Sequence, residues 1–398
     1  MNSGENRVNK FEGALKGIRV LDLTRVWAGP LGTRVLGDFG AEVIRIFDPR
    51  MYGDIETELS DHLNRNKLSL PLRLDTDKGR RAFLSLVAIS DIVVENFTPR
   101  VMRNLALTFE DMRLRKRDII LCSISGFGSS GPYSGYPAYG STAEALSGIP
   151  TLIGYGDEIP IQTGISYADP IAGLNMVGTV LTYLRHRNVT GEGQFIDLSL
   201  ADGPVTLIGE HIGLIGTGVS VPEVNGNKHQ IYSPYGAYRC RGTDEWVTIC
   251  VTDHIQWESL IRAINNVYLS DHKFSDFPLR KQNEQELDAV IAKWTIDKQS
   301  EAVMWLLQEA GVPAGMVANS QQLLVDPHLN ERDFFVRLPD DVDTIRKYDG
   351  QSIHGNIMDK SQWTLPSETS GAAKYILCDL LGYTEEEIDE MKKENVTL

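Results

Sequence analysis

The sequence predicts an α/β protein: a doubly wound, mostly parallel sheet forming a large domain, with a smaller α+β domain attached. Three observations carry the prediction. Short apolar runs rich in Val, Ile and Leu alternate with helical patterns through the first 125 residues. Glycine and proline punctuate these runs as they do in βαβ units. The chain has 398 residues, more than one core usually accommodates, and its texture changes beyond Lys228.

Ile18 to Thr24 is an apolar run that reads as a buried strand. Gly29-Pro30 opens a helix to Phe39, which Gly40 ends. Glu42 to Phe47 is a second strand, broken by Asp48-Pro49. Together these make a βαβ unit of the Rossmann-like kind. Tyr52 to Leu63 is irregular and acidic, and Asn64-Arg65-Asn66-Lys67 leads into a strand over Leu68 to Leu74. Thr76 to Ser90 is a helix with Phe83, Leu86 and Val87 on one side, Asp91 to Phe97 a strand, and Pro99 starts a helix to Ala106. A short basic-rimmed helix over Glu110 to Lys116 precedes the strand Asp118 to Ser125.

Gly126-Phe127-Gly128-Ser129-Ser130-Gly131 matches G-x-G-x-x-G after a strand. The dinucleotide reading fails on context, because Pro132, Gly135 and Pro137 follow and no helix can begin at the third glycine. A turn-rich loop over a ligand fits better. A helix over Ser141 to Leu146 comes next. After Gly191-Glu192-Gly193-Gln194, a turn, Phe195 to Leu200 alternates like a strand, and the segment from Ala201 is helical but softened by Gly213, Gly216 and Gly218. Pro222 to Lys228 reads as a linker. Beyond it, Tyr235 to Cys240 and Glu245 to Val251 read as paired strands. Helices follow near Ile255 to Ile264, Gln285 to Trp294 and Ser300 to Gly311, then a strand from Val312 to Val317. The small domain ends near Leu329. In the tail, Ala373 to Leu381 is the first long apolar run and Thr384 to Lys393 a charged surface helix.

The most informative stretch is Gly164 to Pro170. Ile171, Leu174, Val177, Leu181 and Leu184 follow at helical spacing, so Asp169-Pro170 reads as an N-cap followed by proline at the first helical position. Arg185, His186 and Arg187 fall in the last turn, where the helix dipole favours cations. Asp169 is thereby a carboxylate held at a helix mouth and kept ionised. Taken alone it is an ordinary cap. Glycines around it (Gly154, Gly156, Gly164, Gly173) suggest close backbone approach to a ligand.

Composition excludes several classes. Net charge is −15, so non-specific binding to a nucleic-acid backbone is not expected. The N-terminal residues are polar, without a signal-peptide core, and no apolar run is long enough to span a bilayer. The four cysteines form no C-x-x-C, so reduced thiols in a cytoplasmic protein are expected. The eight histidines include no H-E-x-x-H and no His/Cys pair at ligand spacing, so no metal is expected. Neither G-x-S-x-G nor the P-loop pattern occurs. Cys122, inside a strand, reads as a small core residue more than as a nucleophile.

Several blocks together resemble one family. Leu15 to Leu23, Asn64 to Leu70, Val94 to Phe97, Ile124 to Gly128, Gly131-Pro132-Tyr133 and Arg187 to Gln194 are similar, in this order, to signature blocks of the class III CoA-transferases, whose best-known member is formyl-CoA transferase. The resemblance is good over about the first 200 residues and loose beyond. It implies an enzyme of the EC 2.8.3 type that moves CoA from a donor thioester to an acceptor carboxylic acid. Asp169 matches the family's catalytic aspartate, which passes through a mixed anhydride and an aspartyl-CoA thioester. The resemblance also implies that Val26, Trp27, Ala28, Leu72, Arg73, Asn96, Phe97, Ala138 and Tyr139 contact CoA. Arg73, Arg100 and Arg103 are candidate phosphate partners, since guanidinium matches phosphate oxygens bidentately. CoA is expected as a substrate moiety, with no tightly bound cofactor. The family further implies an interlocked homodimer, and a discontinuous large domain over residues 1–225 plus 330–398 around a small domain over 226–329.

Two departures bear on substrate. Trp27 stands where formyl-CoA transferases carry a glutamine, and Gly140 where they carry an acid; the small domain also lacks their oligoglycine loop. These point to a larger or less polar acyl group than formyl or oxalyl. Two other activities were weighed. Racemisation of an α-methylacyl-CoA on the same fold needs an acid/base pair, and the Gly-His-Asp that racemases carry is replaced by Ala138-Tyr139-Gly140-Ser141. A non-catalytic CoA-binding protein has no need of Asp169.

Overall fold

The computed structural model describes residues 12–51, 58–156, 159–219, 224–338, 347–355, 359–367 and 369–398. The polar N-terminal stretch, residues 52–57 of the acidic segment and residues 222–223 of the expected linker lie outside these. The chain divides into two compact units. One comprises residues 1–150, 162–221 and 330–398, the other 151–161 and 222–329.

The large unit is built on six parallel strands. In chain order its elements are β1 (Arg19–Asp22), α1 (Ala28–Asp38), β2 (Glu42–Phe47), α2 (Glu58–Asn64), β3 (Lys67–Pro71), α3 (Asp77–Ala88), β4 (Ile92–Glu95), α4 (Arg100–Asn104), α5 (Phe109–Arg113), β5 (Ile120–Ser125), α6 (Gly140–Leu146), α7 (Ala168–Thr190), β6 (Phe195–Ser199), α8 (Asp202–Val205) and α9 (Gly209–Gly216). The strand order is β3-β2-β1-β4-β5-β6, so the winding reverses between β1 and β4. In sheets of this kind ligands bind beyond the carboxyl ends of the strands at that reversal. Helix α2 lies in the stretch the sequence reads as irregular. No helix starts at the third glycine of the G-x-G-x-x-G loop; the next begins at Gly140.

Strands β1 to β5 are largely buried, which is why they read as apolar runs, whereas β6 keeps Phe195 and Asp197 exposed and alternates. On one face Val20, Val43, Ile92, Val94, Ile120 and Ile124 pack with Leu36 of α1 and Met176, Val180 and Leu184 of α7. On the other, Leu21, Ile44, Leu70, Val93 and Leu121 pack with Phe83, Leu86 and Val87 of α3 and with the chain's C-terminal segment.

The small unit holds the antiparallel sheet β7 (Tyr235–Arg239), β8 (Trp246–Cys250) and β9 (Ala314–Met316), in that order. Around it lie α10 (His254–Ile264), α11 (Phe277–Gln282), α12 (Glu284–Thr295), α13 (Ser300–Glu309) and α14 (Ser320–Val325). Its own core gathers Val247, Ile249, Trp257, Leu260, Phe274, Leu287, Ile291, Val303 and Leu307. Then come α15 (Pro327–Glu331), the short pair β10 (Phe335–Val336) and β11 (Tyr348–Asp349), α16 (Thr369–Lys374), a π-helical segment Tyr375–Leu380, and α17 (Glu385–Lys393).

The C-terminal segment completes the large unit's core. Ala372, Ala373, Ile376, Leu377, Met391 and Val396 join the α3 face of the sheet. Met391 is buried, so α17 is a surface helix on one side only. Backbone hydrogen bonds run from Asn66 N to Thr364 O (3.0 Å), from Ser367 N to Lys67 O (3.0 Å) and from Arg73 N to Val396 O (2.9 Å).

The polar run Asn64-Arg65-Asn66-Lys67 is buried throughout. Asp38, in the last turn of α1, accepts from Arg65 Nε (2.9 Å) and Nη2 (2.6 Å), Asn66 Nδ2 (2.7 Å) and Gln351 Nε2 (2.6 Å). The Arg65 guanidinium lies 4.2 Å from the Trp363 ring centroid and donates to the Asp349 carbonyl. A carboxylate at a helix C-terminus opposes the dipole, so these donors hold it there. Asp38→Ala removes both carboxylate hydrogen bonds of the buried Arg65 guanidinium and leaves it only the more distant Asp349 carboxylate at 3.8 Å. The expected loss is about 3–5 kcal/mol, measured by urea unfolding.

Candidate functional site

Two helices begin side by side because glycines let them. A Cβ on Gly32 of α1 would stand 2.7 Å from the Gly173 carbonyl oxygen, and one on Gly173 of α7 would stand 2.6 Å from the Ala28 carbonyl oxygen. With no side chains in the way, the start of α1 lies against the second turn of α7. The apolar stripe of α7 therefore differs from the one its spacing predicts. Ala172, Gly173, Met176, Val180 and Leu184 are buried. Leu174 and Leu181 face outwards, because close helix approach selects the face with small residues.

Asp169 is not the N-cap of α7. The helix starts at Ala168, Tyr167 holds the cap position without a side-chain cap bond, and Asp169 and Pro170 sit inside the first turn. Proline remains tolerable there, since first-turn N–H groups have no intrahelical partner. Freed from capping its own helix, the Asp169 carboxylate faces the backbone N–H of Ala28, the first residue of α1, which favours its charged form. It also abuts α6. A Cβ on Gly140, the first residue of α6, would fall 1.7 Å from Asp169 Oδ2. Helix starts from α1, α6 and α7 thus converge on one carboxylate.

Burial raises the Asp169 carboxyl to about 6, and the Ala28 N–H opposes the rise. The residue is 6% exposed, yet residues flanking its contacts lie open: Val26 at 64%, Tyr139 at 70% and Tyr167 at 40%. The carboxylate sits just beneath the surface, ionised at neutral pH and poorly solvated.

The start of α1 is held from below. Asp22, at the end of β1, accepts from Thr24 N (2.9 Å), Thr24 Oγ1 (2.5 Å), Thr33 Oγ1 (2.6 Å) and Lys67 Nζ (2.9 Å). Burial would raise its carboxyl, but the Lys67 ammonium and these donors hold it below the usual range. Lys67 Nζ also donates to the Pro30 carbonyl (3.0 Å) in the first turn of α1. Val26 sits at φ 69°, a left-handed conformation costly for a β-branched residue. Asn96 grips the residue before it, accepting from Arg25 N (2.8 Å) and donating to Arg25 O (2.7 Å).

The other predicted residues separate into groups. Trp27 is the N-cap of α1 and half-buried, between exposed Val26 and buried Ala28. Phe97 lies beneath the Arg25 guanidinium, 5.3 Å from its ring centroid. Ala138 is half-buried against Gly126, whose added Cβ would stand 2.6 Å from the Ala138 Cβ, and Tyr139 is exposed. Leu72 turns its side chain into the core, 1% exposed, leaving only its backbone for contact. Arg73 pairs with Asp75 (3.1 and 3.0 Å). Arg100 and Arg103 are exposed on α4.

Several participants were not singled out from the sequence. Arg50, exposed, pairs with Asp48 and reaches Asp75 at 3.2 Å, so Arg25, Arg50 and Arg73 share two carboxylates beyond β1, β2 and β3. Glu95, at the end of β4, is pushed up to about 7 by burial, against bonds from Ser123 and the Phe97 N–H. Glu144 of α6 holds the loop before Asp169. Part of these surroundings carries no sequence signal, because Asp75, Ser123, Thr163 and Tyr167 lie about twenty or more residues from the groups they meet. Cys122 is fully buried, and burial beside Glu95 pushes its thiol up, which disfavours a thiolate nucleophile. Among the described residues no cluster of His, Cys, Asp or Glu could hold a metal ion. No described helix is long and apolar enough to cross a membrane. The small unit holds a separate cavity of about 1110 Å³, lined in part by Tyr155, Lys228, Tyr235, Glu245 and Trp246; no predicted site residue lines it.

Comparison with known proteins gives this geometry its class. The family described as CoA-transferase family III matches residues 15–355. A succinyl-CoA:mesaconate CoA-transferase of Haloarcula marismortui is 34% identical, over 89% of this chain and 92% of that protein. A succinyl-CoA–D-citramalate CoA-transferase of Chloroflexus aurantiacus is 29% identical, over 96% of this chain and 98% of that protein. The crystal structure of a CaiB/BaiF family protein from Brucella suis superposes with a TM-score of 0.83 at 26% identity, covering 93% of this chain and all of the other. With a parallel six-stranded sheet, a small antiparallel unit and this match along most of its length, the chain belongs to CoA-transferase family III and is an enzyme of CoA transfer.

Proposed function

We propose that the protein moves CoA from an acyl-CoA donor to a free carboxylic acid through covalent intermediates on Asp169. The observation that carries this reading is a poorly solvated carboxylate seated against Gly140, with the Ala28 N–H favouring its charge, at a convergence of helix starts. An Asp169 oxygen adds to the thioester carbonyl, the C–S bond breaks, and CoA leaves as the thiolate with a mixed anhydride on the enzyme. The thiolate then adds to the aspartyl carbonyl carbon, releasing the donor acid and leaving an aspartyl-CoA thioester. The acceptor carboxylate repeats these steps in reverse and departs as the new thioester. No net proton is consumed. The relay replaces one difficult exchange with easier acyl transfers. An N–H already on the carboxylate stands ready for the negative charge that grows on the aspartyl oxygen when thiolate adds.

A short dicarboxylate fits as donor and acceptor, since relatives are named for succinyl-CoA with mesaconate, D-citramalate or glutarate. Arg25, Arg50, Arg73, Arg100 and Arg103 are proposed to meet the CoA phosphates. The experiment is mass spectrometry of the protein after incubation with a panel of CoA thioesters that includes succinyl-CoA. A CoA adduct on the peptide containing Asp169 is expected; its absence from every thioester that supports exchange would overturn the covalent route. Acidity supplies a second test. Below about pH 6 Asp169 gains a proton and ceases to be a nucleophile, so kcat/KM falls about tenfold per pH unit there.

A second copy of this chain is the proposed partner. Leu174 and Leu181 of α7 and Ile212, Leu214 and Ile215 of α9 are exposed, and no residue of α9 is buried. Apolar faces of this extent ordinarily meet another surface. Light scattering is expected to return the mass of two chains.

A further inference from the structure

We infer that Glu144 is a positioning residue that sets where the proposed nucleophile stands, an inference that rests on the Asp169 reading above. Glu144 lies on α6 one helical turn after Gly140, the residue against which the Asp169 carboxylate is seated. It is 1% exposed. Its carboxylate accepts from Thr163 N (2.7 Å), Thr163 Oγ1 (2.9 Å) and Tyr167 N (2.9 Å). These partners bracket Ser166, which sits at φ 48° in the left-handed region, and the Ser166 carbonyl accepts from Asp169 N at 2.9 Å. One carboxylate therefore grips the loop on both sides of its strained residue, and that residue hydrogen-bonds the nucleophile's own backbone.

All three partners are neutral, so among the described residues no cation pairs with this buried charge. Such a carboxylate is kept where its oxygens are needed as acceptors. Burial would raise its pKa, but the Thr163 and Tyr167 N–H groups hold it below the ordinary glutamate range. Chemistry at Asp169 depends on a position shared by three helix starts. Glu144 couples two of them, because α6 carries both Gly140 and the grip on the α7 entry loop.

The substitutions form a series. Glu144→Ala removes all the acceptors. Glu144→Gln keeps one carbonyl oxygen, and its amide faces one of the two backbone N–H groups in either orientation. Thr163→Val removes the hydroxyl and keeps the N–H. The whole enzyme is assayed with whichever thioester of the panel wild type uses best, alongside Asp169→Ala. Glu144→Ala is expected to lose about 100-fold in kcat, with KM for the thioester within about threefold of wild type. Glu144→Gln should recover part of that loss, and Thr163→Val should stay within about threefold of wild type. The rate of CoA adduct formation on Asp169, normalised to folded protein by thermal melting, should fall in parallel with kcat. Glu144→Ala with wild-type kcat, or with an unchanged adduct rate per folded molecule, would overturn the inference. Exchange that persists in Asp169→Ala would instead remove the nucleophile itself, whatever the Glu144 series did, and wild type inert on the whole panel would remove both.

Discussion

Asp169→Asn is expected to lose exchange by a factor on the order of 10⁴ or more while making the fold more stable. The loss follows from the proposed chemistry, because an amide of the same shape cannot form the anhydride. The gain follows from the sign of the acidity shift. The folded carboxyl titrates at about 6 against 3.8 in the unfolded chain. Between those values the folded state binds the proton more tightly, so stability falls as pH rises through this window and stays lower above it. Solvent at the open edge of the site screens part of the cost, leaving about 1 kcal/mol at neutral pH. Urea unfolding of the two proteins at pH 7 measures it. A simple helix cap would behave in the opposite way, and its removal would cost about 1 kcal/mol. Lower stability in Asp169→Asn together with retained exchange would make the residue a structural one.

Gly140→Ala is expected to lose about 10²–10³-fold in kcat with little change in stability. The added Cβ would lie 1.7 Å from Asp169 Oδ2 and 2.7 Å from its Cγ, so one of them must move. The nearest obstacle is the free end of a side chain, and rotating it away is cheap for the fold. Rotation lifts the carboxylate from its seat and from the Ala28 N–H, which is expensive for the reaction. Wild-type kcat in Gly140→Ala, measured beside KM and a urea transition, would show that the reactive position of Asp169 is a different one.

Much of the sheet was legible in advance because β1 to β5 are short, buried, largely apolar runs, several of them bounded by glycine or proline. Glu42 to Phe47 needed no tertiary information to be recognised, and the failure of the G-x-G-x-x-G loop as a dinucleotide motif followed from Pro132 and Pro137. The family resemblance drew attention to Asp169, and local pattern put it at the start of a helix. Asp169 lies two residues past the cap position, and of the stripe read from spacing Val177 and Leu184 pack on the core while Leu174 and Leu181 face outwards. Spacing identifies which residues share a side of a helix. It does not say which side another helix will approach, and here Gly32 and Gly173 made that choice.

What the chain determines by itself is therefore periodic and local: the alternation of strands and helices, the breaks between them, and an aspartate beside a proline at a helix mouth. Tertiary structure alone decided that α1, α6 and α7 start at one point, that Asn64 to Lys67 is buried beneath α1, and that the last thirty or so residues complete the core. It also joined Glu144 to a loop nineteen to twenty-three residues away. Hydrogen bonds and close backbone approaches between segments distant in sequence leave no period to read, because their energy depends on geometry that exists only once the chain has folded.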